Sequence, residues 1–512
     1  MTLHLRLRNI LLATAAGLGV AVGVIVILNI ARSTSVGAAV AIPLGGAALI
    51  AVLLSKYRIP ILVAAISLLG LAPMPSGLNL QFSVGGGTLF PNDLLAPILI
   101  LCCLRSASSL PRLVKVLLLL GGLAWAFGIF WGILNSAEIG ALIRDGRGFL
   151  YAAAVTLGVT LTLLKWPESA YRWLLWLVAA IVGLTSLAVA LETFTGAGLF
   201  AMRADEAVLY VGGQTFLYDS ARLVPPAAQV CVAVLAVVIA VWASQRGTSP
   251  VRPTILIVTL LSTLFVVAVG VSRNNVVAIV VILVAFFILT KRKLRWVTRM
   301  TLLLSAAVMV SAFVSVALAQ YVPSVAARLS GVGDAFFGRA LQGLDPDTIA
   351  SDASANWRTR ETDAALQFVR EHPLTGSGFG VPYRDRLLGD PFSGDYGFTY
   401  VHNFFVWILV KLGVPLFIVV FGAFLVLVVR LCVRVTKGTD SGRSAQLGLA
   451  LAAGFGIVSA VAPLAISRTS SILIGAIFAL LLYPLAGEKQ GRSASSEPLS
   501  EGESTATPRS TA

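Results

Sequence analysis

The sequence predicts an all-α polytopic membrane protein with about 12–14 transmembrane helices and one large outer loop. Composition is the first observation behind this. The chain is 57% hydrophobic and 12% charged, with a mean hydropathy of +0.91, whereas soluble domains run nearer ~45–50% apolar and ~25% charged. A soluble chain of 512 residues has no way to hide so much apolar surface. The pattern of the apolar residues is the second. They form continuous runs of the length that a helix needs to cross a bilayer, about 20 residues each. A transmembrane barrel would alternate apolar and polar residues instead.

The runs fall near 10–30, 35–55, 60–74, 90–104, 114–134, 147–164, 173–192, 223–243, 254–271, 275–290, 301–320, 413–434, 445–463 and 469–486. The third and fourth are short and carry Pro73 and Pro97, so the count of crossings could drop to twelve. The first run follows MTLHLRLRNI and is longer than the apolar core of a cleavable signal, so it reads as an uncleaved first helix. The four cysteines (Cys102, Cys103, Cys231, Cys432) lie in or at the ends of apolar runs. There they behave as small hydrophobes, and they indicate neither a disulfide framework nor a zinc site.

The net charge of +15 fits membrane topology rather than a nucleic-acid partner. With the N-terminus in the cytoplasm and the runs alternating, the basic stretch 291-KRKLRWVTR-299 falls on the cytoplasmic side. So do Arg105, Arg112, Lys115, Lys165, Arg430, Arg434 and Lys437. Positive charge collects on that face of a membrane protein. The expected location is the cytoplasmic (inner) membrane, with both termini cytoplasmic. The cations left for the outer side are all arginine except Lys411. A topological signal would not tell arginine from lysine, but a phosphate-gripping site would, because guanidinium presents a planar fork of donors.

The chain divides into N-terminal transmembrane helices (1–320), the outer loop (321–398), C-terminal transmembrane helices (399–486) and a low-complexity cytoplasmic tail (487–512) whose composition predicts disorder. A loop this long is commonly functional. Within it, 354-SANWRTRETDAALQFVREHP-373 reads as a helix capped by Ser354 or Asn356, with Glu361 in an early turn and Pro373 as its stop. Trp357, Ala364, Ala365 and Phe368 give this helix an apolar face, for the membrane surface or the bundle. A glycine-rich turn, 374-LTGSGFG-380, follows. No strand precedes it, so it is not a dinucleotide fingerprint.

Several charged residues sit at outer helix ends: Arg32, Arg144, Asp145, Arg147, Arg222, Arg273 and Arg468. Arg147 and Arg222 open apolar runs, and Arg273 is wedged between two runs in 272-SRNN-275. Such charges either snorkel to the interface or face a polar cavity. His402, one of three histidines, ends the outer loop. Imidazole chemistry suits a proton acceptor near neutral pH, although a lone interfacial histidine also serves as a polar anchor. The helix after His402 must bend at Gly413 and Pro415.

The ordered motifs 222-RLVPP, 272-SRNN, 373-PLTGSGFG-380 and 402-HNFFVWILVKLGVPL-416 resemble the O-antigen ligase and O-antigen polymerase superfamily of bacterial polysaccharide assembly. The resemblance runs from about 220 to 434. Two local departures are Asn274-Asn275 and Ala227-Ala228, where the family often has Gly-Ala and an Asn. The resemblance implies a GT-C-type membrane glycosyltransferase that passes a glycan from undecaprenyl pyrophosphate to an acceptor hydroxyl, as polymerase or ligase. The partners implied are the lipid-linked glycan, a glycan, lipid or wall-polymer acceptor, and the bilayer. His402 matches the family's loop histidine, the presumed catalytic group, and Arg222 and Arg273 match the outer arginines that face the pyrophosphate. Arg147 joins them as a candidate pyrophosphate ligand. Arginines can stabilise the leaving group without a metal, and no cofactor is expected. The competing class is a transporter or lipid-linked glycan flippase, which calls for mid-membrane charges and paired broken helices.

Overall fold

The computed structural model describes residues 49–76, 78, 82–84, 87–195, 198–200, 208–211, 214–217, 223–244, 253–270, 272–321, 353–385, 399–437, 442–462, 464 and 466–486. The expected first membrane run, most of the second, Arg222 and the tail lie outside these residues. The described helices are α1 (Arg58–Leu71), α2 (Pro91–Leu104), α3 (Arg112–Leu134), α4 (Ile139–Lys165), α5 (Pro167–Thr195), α6 (Ala228–Ser244) and α7 (Pro253–Val269). They continue with α8 (Arg273–Leu289), α9 (Lys293–Tyr321), α10 (Ala353–Glu371), α11 (Phe404–Lys437), α12 (Gly442–Ser459) and α13 (Arg468–Ala486). Two short antiparallel hairpins interrupt this all-helical pattern: β1 (Phe82–Val84) with β2 (Gly87–Leu89), and β3 (Val208–Val211) with β4 (Gln214–Leu217).

Among the described residues five helices are long and apolar enough to cross a membrane, within α3, α4, α5, α11 and α13. Shorter apolar helices, α1 and α2 among them, complete the bundle. The protein is thus an all-α, multi-pass membrane protein. One of the two short runs that raised doubt about the helix count has a packing explanation. Every residue of α1 from Ile59 to Leu71 is buried. Enclosed by other helices, α1 does not have to match the thickness of a lipid core. By contrast, α3 and α9 leave Leu119, Leu123, Phe130, Leu302, Met309 and Phe313 exposed, as lipid-facing helices do.

Side-chain contacts fix which helix ends lie together. At one end Tyr171 meets Ser444 and Tyr483, and Arg434 donates to the Pro484 carbonyl. Gln446 donates there to the Phe286 carbonyl and to Thr290 Oγ1, so the last turn of α8 adjoins the first turn of α12. The starts of α4, α8, α11 and α13 therefore gather at the other end. That is the end on which α10 and the glycine-rich turn dock.

The docked piece has an apolar core of its own. Ala365, Val369, Phe379, Tyr383, Val401, Trp407 and Val410 are buried together there. Phe379 stacks on Phe149 of α4 and on Trp407 of α11, at 5.7 and 5.6 Å between centroids. Helix α10 was expected on the membrane surface or on the bundle; it lies on the bundle, against α11.

Candidate active site

The segment around His402 is assembled by a break in α11. Gly413 has φ 74° and ψ 169°, a left-handed conformation that strains any residue with a Cβ. The break leaves a short limb (404–412), then Pro415 and the long membrane limb. Ending the short limb exposes carbonyls with no helical partner. The glycine-rich turn satisfies them: Ser377 N–H donates to the Val410 carbonyl at 2.7 Å and Gly378 N–H to that of Lys411 at 3.0 Å. In return, Val414 N–H donates to the Pro373 carbonyl at 2.8 Å. Helix α3 clasps the same turn, through Trp131 Nε1 on the Gly376 carbonyl and Asn135 Nδ2 on that of Ser377. Close backbone approach explains the glycines. A Cβ on Gly378 would stand 2.3 Å from the Gly132 nitrogen of α3.

At the other end of the short limb, Asn403 Oδ1 accepts the Phe405 and Val406 N–H groups, at 3.1 and 3.3 Å. It is the cap that starts the helix, and it fixes the chain just after His402. Glu361 of α10 fixes His402 itself. Its Oε2 lies 2.7 Å from the His402 backbone nitrogen and 2.8 Å from Nδ1. The Glu361 side chain is 1% exposed and that of His402 is 27% exposed. A buried carboxylate that accepts from Nδ1–H selects the tautomer with Nε2 as the acceptor. Tyr400 closes one side, its ring at right angles to the imidazole and 5.0 Å away. Burial, followed by the negative charge of Glu361, pushes the Tyr400 phenol well above its ordinary value, so it remains a neutral neighbour.

Glu361 has a different role from the early-turn charge read in the sequence. It sits between Trp357 and Ala365 at spacings of four, on the buried face of α10. That spacing was the available signal: an acid inside the apolar stripe of a helix.

Lys411 also changes meaning. Placed by sequence among the outer cations, it is fully buried. It pairs with Asp145 at 3.4 Å and donates to the Val381 carbonyl at 2.7 Å. Asp145 in turn accepts the Gly380 N–H at 2.8 Å. This network ties α4, α11 and the turn together.

The first turns of α4 join the histidine to the arginines. Arg144 donates to Thr399 Oγ1 at 2.8 Å, three residues before His402. Arg147, one turn further along α4, points to the β1–β2 hairpin: it donates to the Thr88 carbonyl and lies 3.8 Å from Asp93. The backbone of Arg273 opens α8 at this same end, with Ser272 as its N-cap. Arg222 precedes the described Leu223, which leads into α6. Among the described residues no group of three or more His, Cys, Asp or Glu is arranged to hold a metal.

A membrane helix bundle with a docked amphipathic helix, a carboxylate-held histidine and arginines at one end defines the class: a polytopic membrane protein with a polar site at the bundle's rim. Residues 257–421 match the family described as O-antigen ligase, which identifies this segment with the O-antigen ligase/polymerase superfamily and with glycan transfer of that general type. The matched segment runs from α7 through Arg273, α10, the glycine-rich turn and His402 to just past Gly413. No curated protein matches the chain.

Proposed function

We propose that this protein transfers a glycan from undecaprenyl pyrophosphate to an acceptor hydroxyl at the outer face of the cytoplasmic membrane, as a polysaccharide polymerase or an O-antigen-type ligase. The observation that carries this reading is His402: its Nδ1 is engaged by buried Glu361, at the end of the bundle where Arg144, Arg147 and the start of α8 gather. In this scheme His402 Nε2 accepts the proton of the acceptor hydroxyl. The acceptor oxygen bonds to the anomeric carbon as the bond to the diphosphate oxygen breaks. The lipid diphosphate leaves with that electron pair, and Arg147, Arg273 and Arg222 hold the charge that develops. Loss of one fixed donor from such a site typically costs ~3–4 kcal/mol. Glu361 acts through His402 as a positioning residue. The chemistry proposed needs no metal for charge stabilisation, since guanidinium groups supply it.

The test is His402→Ala and Arg273→Ala at matched expression, reading polymer length and surface glycan, with a purified lipid-linked glycan as donor in vitro. Loss of product from both variants is expected. Wild-type product from both would overturn the reading.

A further inference from the structure

Phe90, the residue before α2, carries two guanidinium groups. Arg147 Cζ of α4 lies 5.0 Å from the ring centroid and Arg468 Cζ, at the first position of α13, lies 4.1 Å from it. The two carbons are thus no farther apart than these distances together. One acid is near, and it is already engaged. Asp93 Oδ2 accepts the Phe90 N–H at 2.8 Å and Oδ1 accepts the Tyr151 hydroxyl, with Arg147 Nε 3.8 Å from Oδ1. Arg147 is 9% exposed, and its buried Nε has no hydrogen-bond partner among the described residues. The Arg468 guanidinium makes neither a hydrogen bond nor an ion pair among the described residues; only its backbone carbonyl is engaged, by Ser471 Oγ. It also stands at a helix N-terminus, the end at which the backbone dipole repels a cation. Two arginines, one carboxylate and a helix start leave a surplus of positive charge where burial makes it costly. Nothing in the folding of α13 calls for it.

We infer that Arg468, with Arg147 and the N-terminus of α13, binds a phosphoryl group of the lipid-linked donor's diphosphate beside Phe90. This rests on the glycan-transfer reading above and adds to it a residue more than 45 positions beyond the matched family segment. A planar fork on an aromatic face keeps its in-plane N–H donors free for oxygens. The other source of the same chemistry is the headgroup of an anionic phospholipid.

The experiment uses the full chain in nanodiscs and measures binding of undecaprenyl diphosphate, in discs of phosphatidylcholine alone and in discs containing phosphatidylglycerol. R468Q is expected to weaken binding at least about tenfold in both, the loss of charge-assisted hydrogen bonds. R468K should recover only part of it, since lysine keeps the charge and loses the fork. Equal binding by wild type and R468Q would overturn the proposal. So would unchanged diphosphate binding together with lost phosphatidylglycerol retention, which would mark a lipid-headgroup site. If R468Q does not fold, R468K decides: binding equal to wild type overturns the proposal. A wild-type protein that binds no undecaprenyl diphosphate would remove the donor assignment itself, an outcome distinct from a silent Arg468.

Discussion

At the scale of single residues, the proposed chemistry turns on the pair His402–Glu361. Glu361→Gln keeps the shape of the side chain and one acceptor oxygen but removes the charge that selects the imidazole tautomer. We expect kcat to fall by about 10²-fold, within the range attributed to a positioned base, while KM for the lipid donor stays near wild type. Steady-state kinetics on purified protein checks the split, and Glu361→Asp should restore part of kcat. A parallel rise in KM would point to a fold defect instead. Tyr400 yields a second expectation. Its phenol is pushed up by burial and by Glu361, so the neutral form persists beyond the ordinary tyrosine range of about 10. Tyr400→Phe should therefore leave the shape of the pH–rate profile unchanged up to about pH 10. An alkaline limb that vanishes in this variant would contradict the assignment.

At the scale of elements, the interlock between the glycine-rich turn and broken α11 decides whether the site exists. The turn supplies the N–H groups that the short limb lacks, and the left-handed break at Gly413 brings the two together. Gly413→Ala would place a Cβ 2.5 Å from the Leu374 carbonyl oxygen in a positive-φ conformation. Left-handed strain and overpacking together predict a loss of about 2–4 kcal/mol, read as a lower melting temperature, with activity falling alongside. Gly378→Ala meets the α3 backbone and should behave alike, whereas Gly122→Ala, with nothing within 4 Å, should be near neutral. This interlock was half legible in sequence. The bend at Gly413–Pro415 follows from residue types alone, and so does α10 up to its proline stop. That the glycines of 374–380 cap the histidine's own helix was hidden, because their partners are more than 30 residues away in sequence, on α11, and about 245 away, on α3.

At the scale of the whole molecule, the Asp145–Lys411 pair joins α4, α11 and the docked turn in a fully buried setting. Removing one partner strands the other charge. Lys411→Met is expected to cost roughly 3–5 kcal/mol, and the double variant Lys411→Met/Asp145→Asn appreciably less than the sum of the singles. Thermal unfolding of the four proteins in detergent closes the cycle, and additivity would refute the pairing. The inferred orientation has its own check. Asp385, on the docked segment, and Ser109, between α2 and α3, are both exposed and sit at opposite ends of the bundle. A cysteine at 385 should react with a membrane-impermeant maleimide in intact spheroplasts, and one at 109 only after permeabilisation.

By itself the sequence determined the class of molecule and its helices, because hydropathy and helix length respond to a bilayer through local composition. It also determined the residue types on offer at one end, arginine over lysine with a histidine where the loop ends, because their chemistry is intrinsic. Only the tertiary structure decided which of them meet. It turned Lys411 from an interfacial cation into a buried strut and Glu361 from a helix-start charge into the partner of His402. It also set Arg468 beside Arg147 on one phenylalanine ring. The physical reason is common to all three: the role of a charged side chain inside a helix bundle depends on the charged and aromatic groups packed beside it, and here those groups come from other segments, far away in sequence.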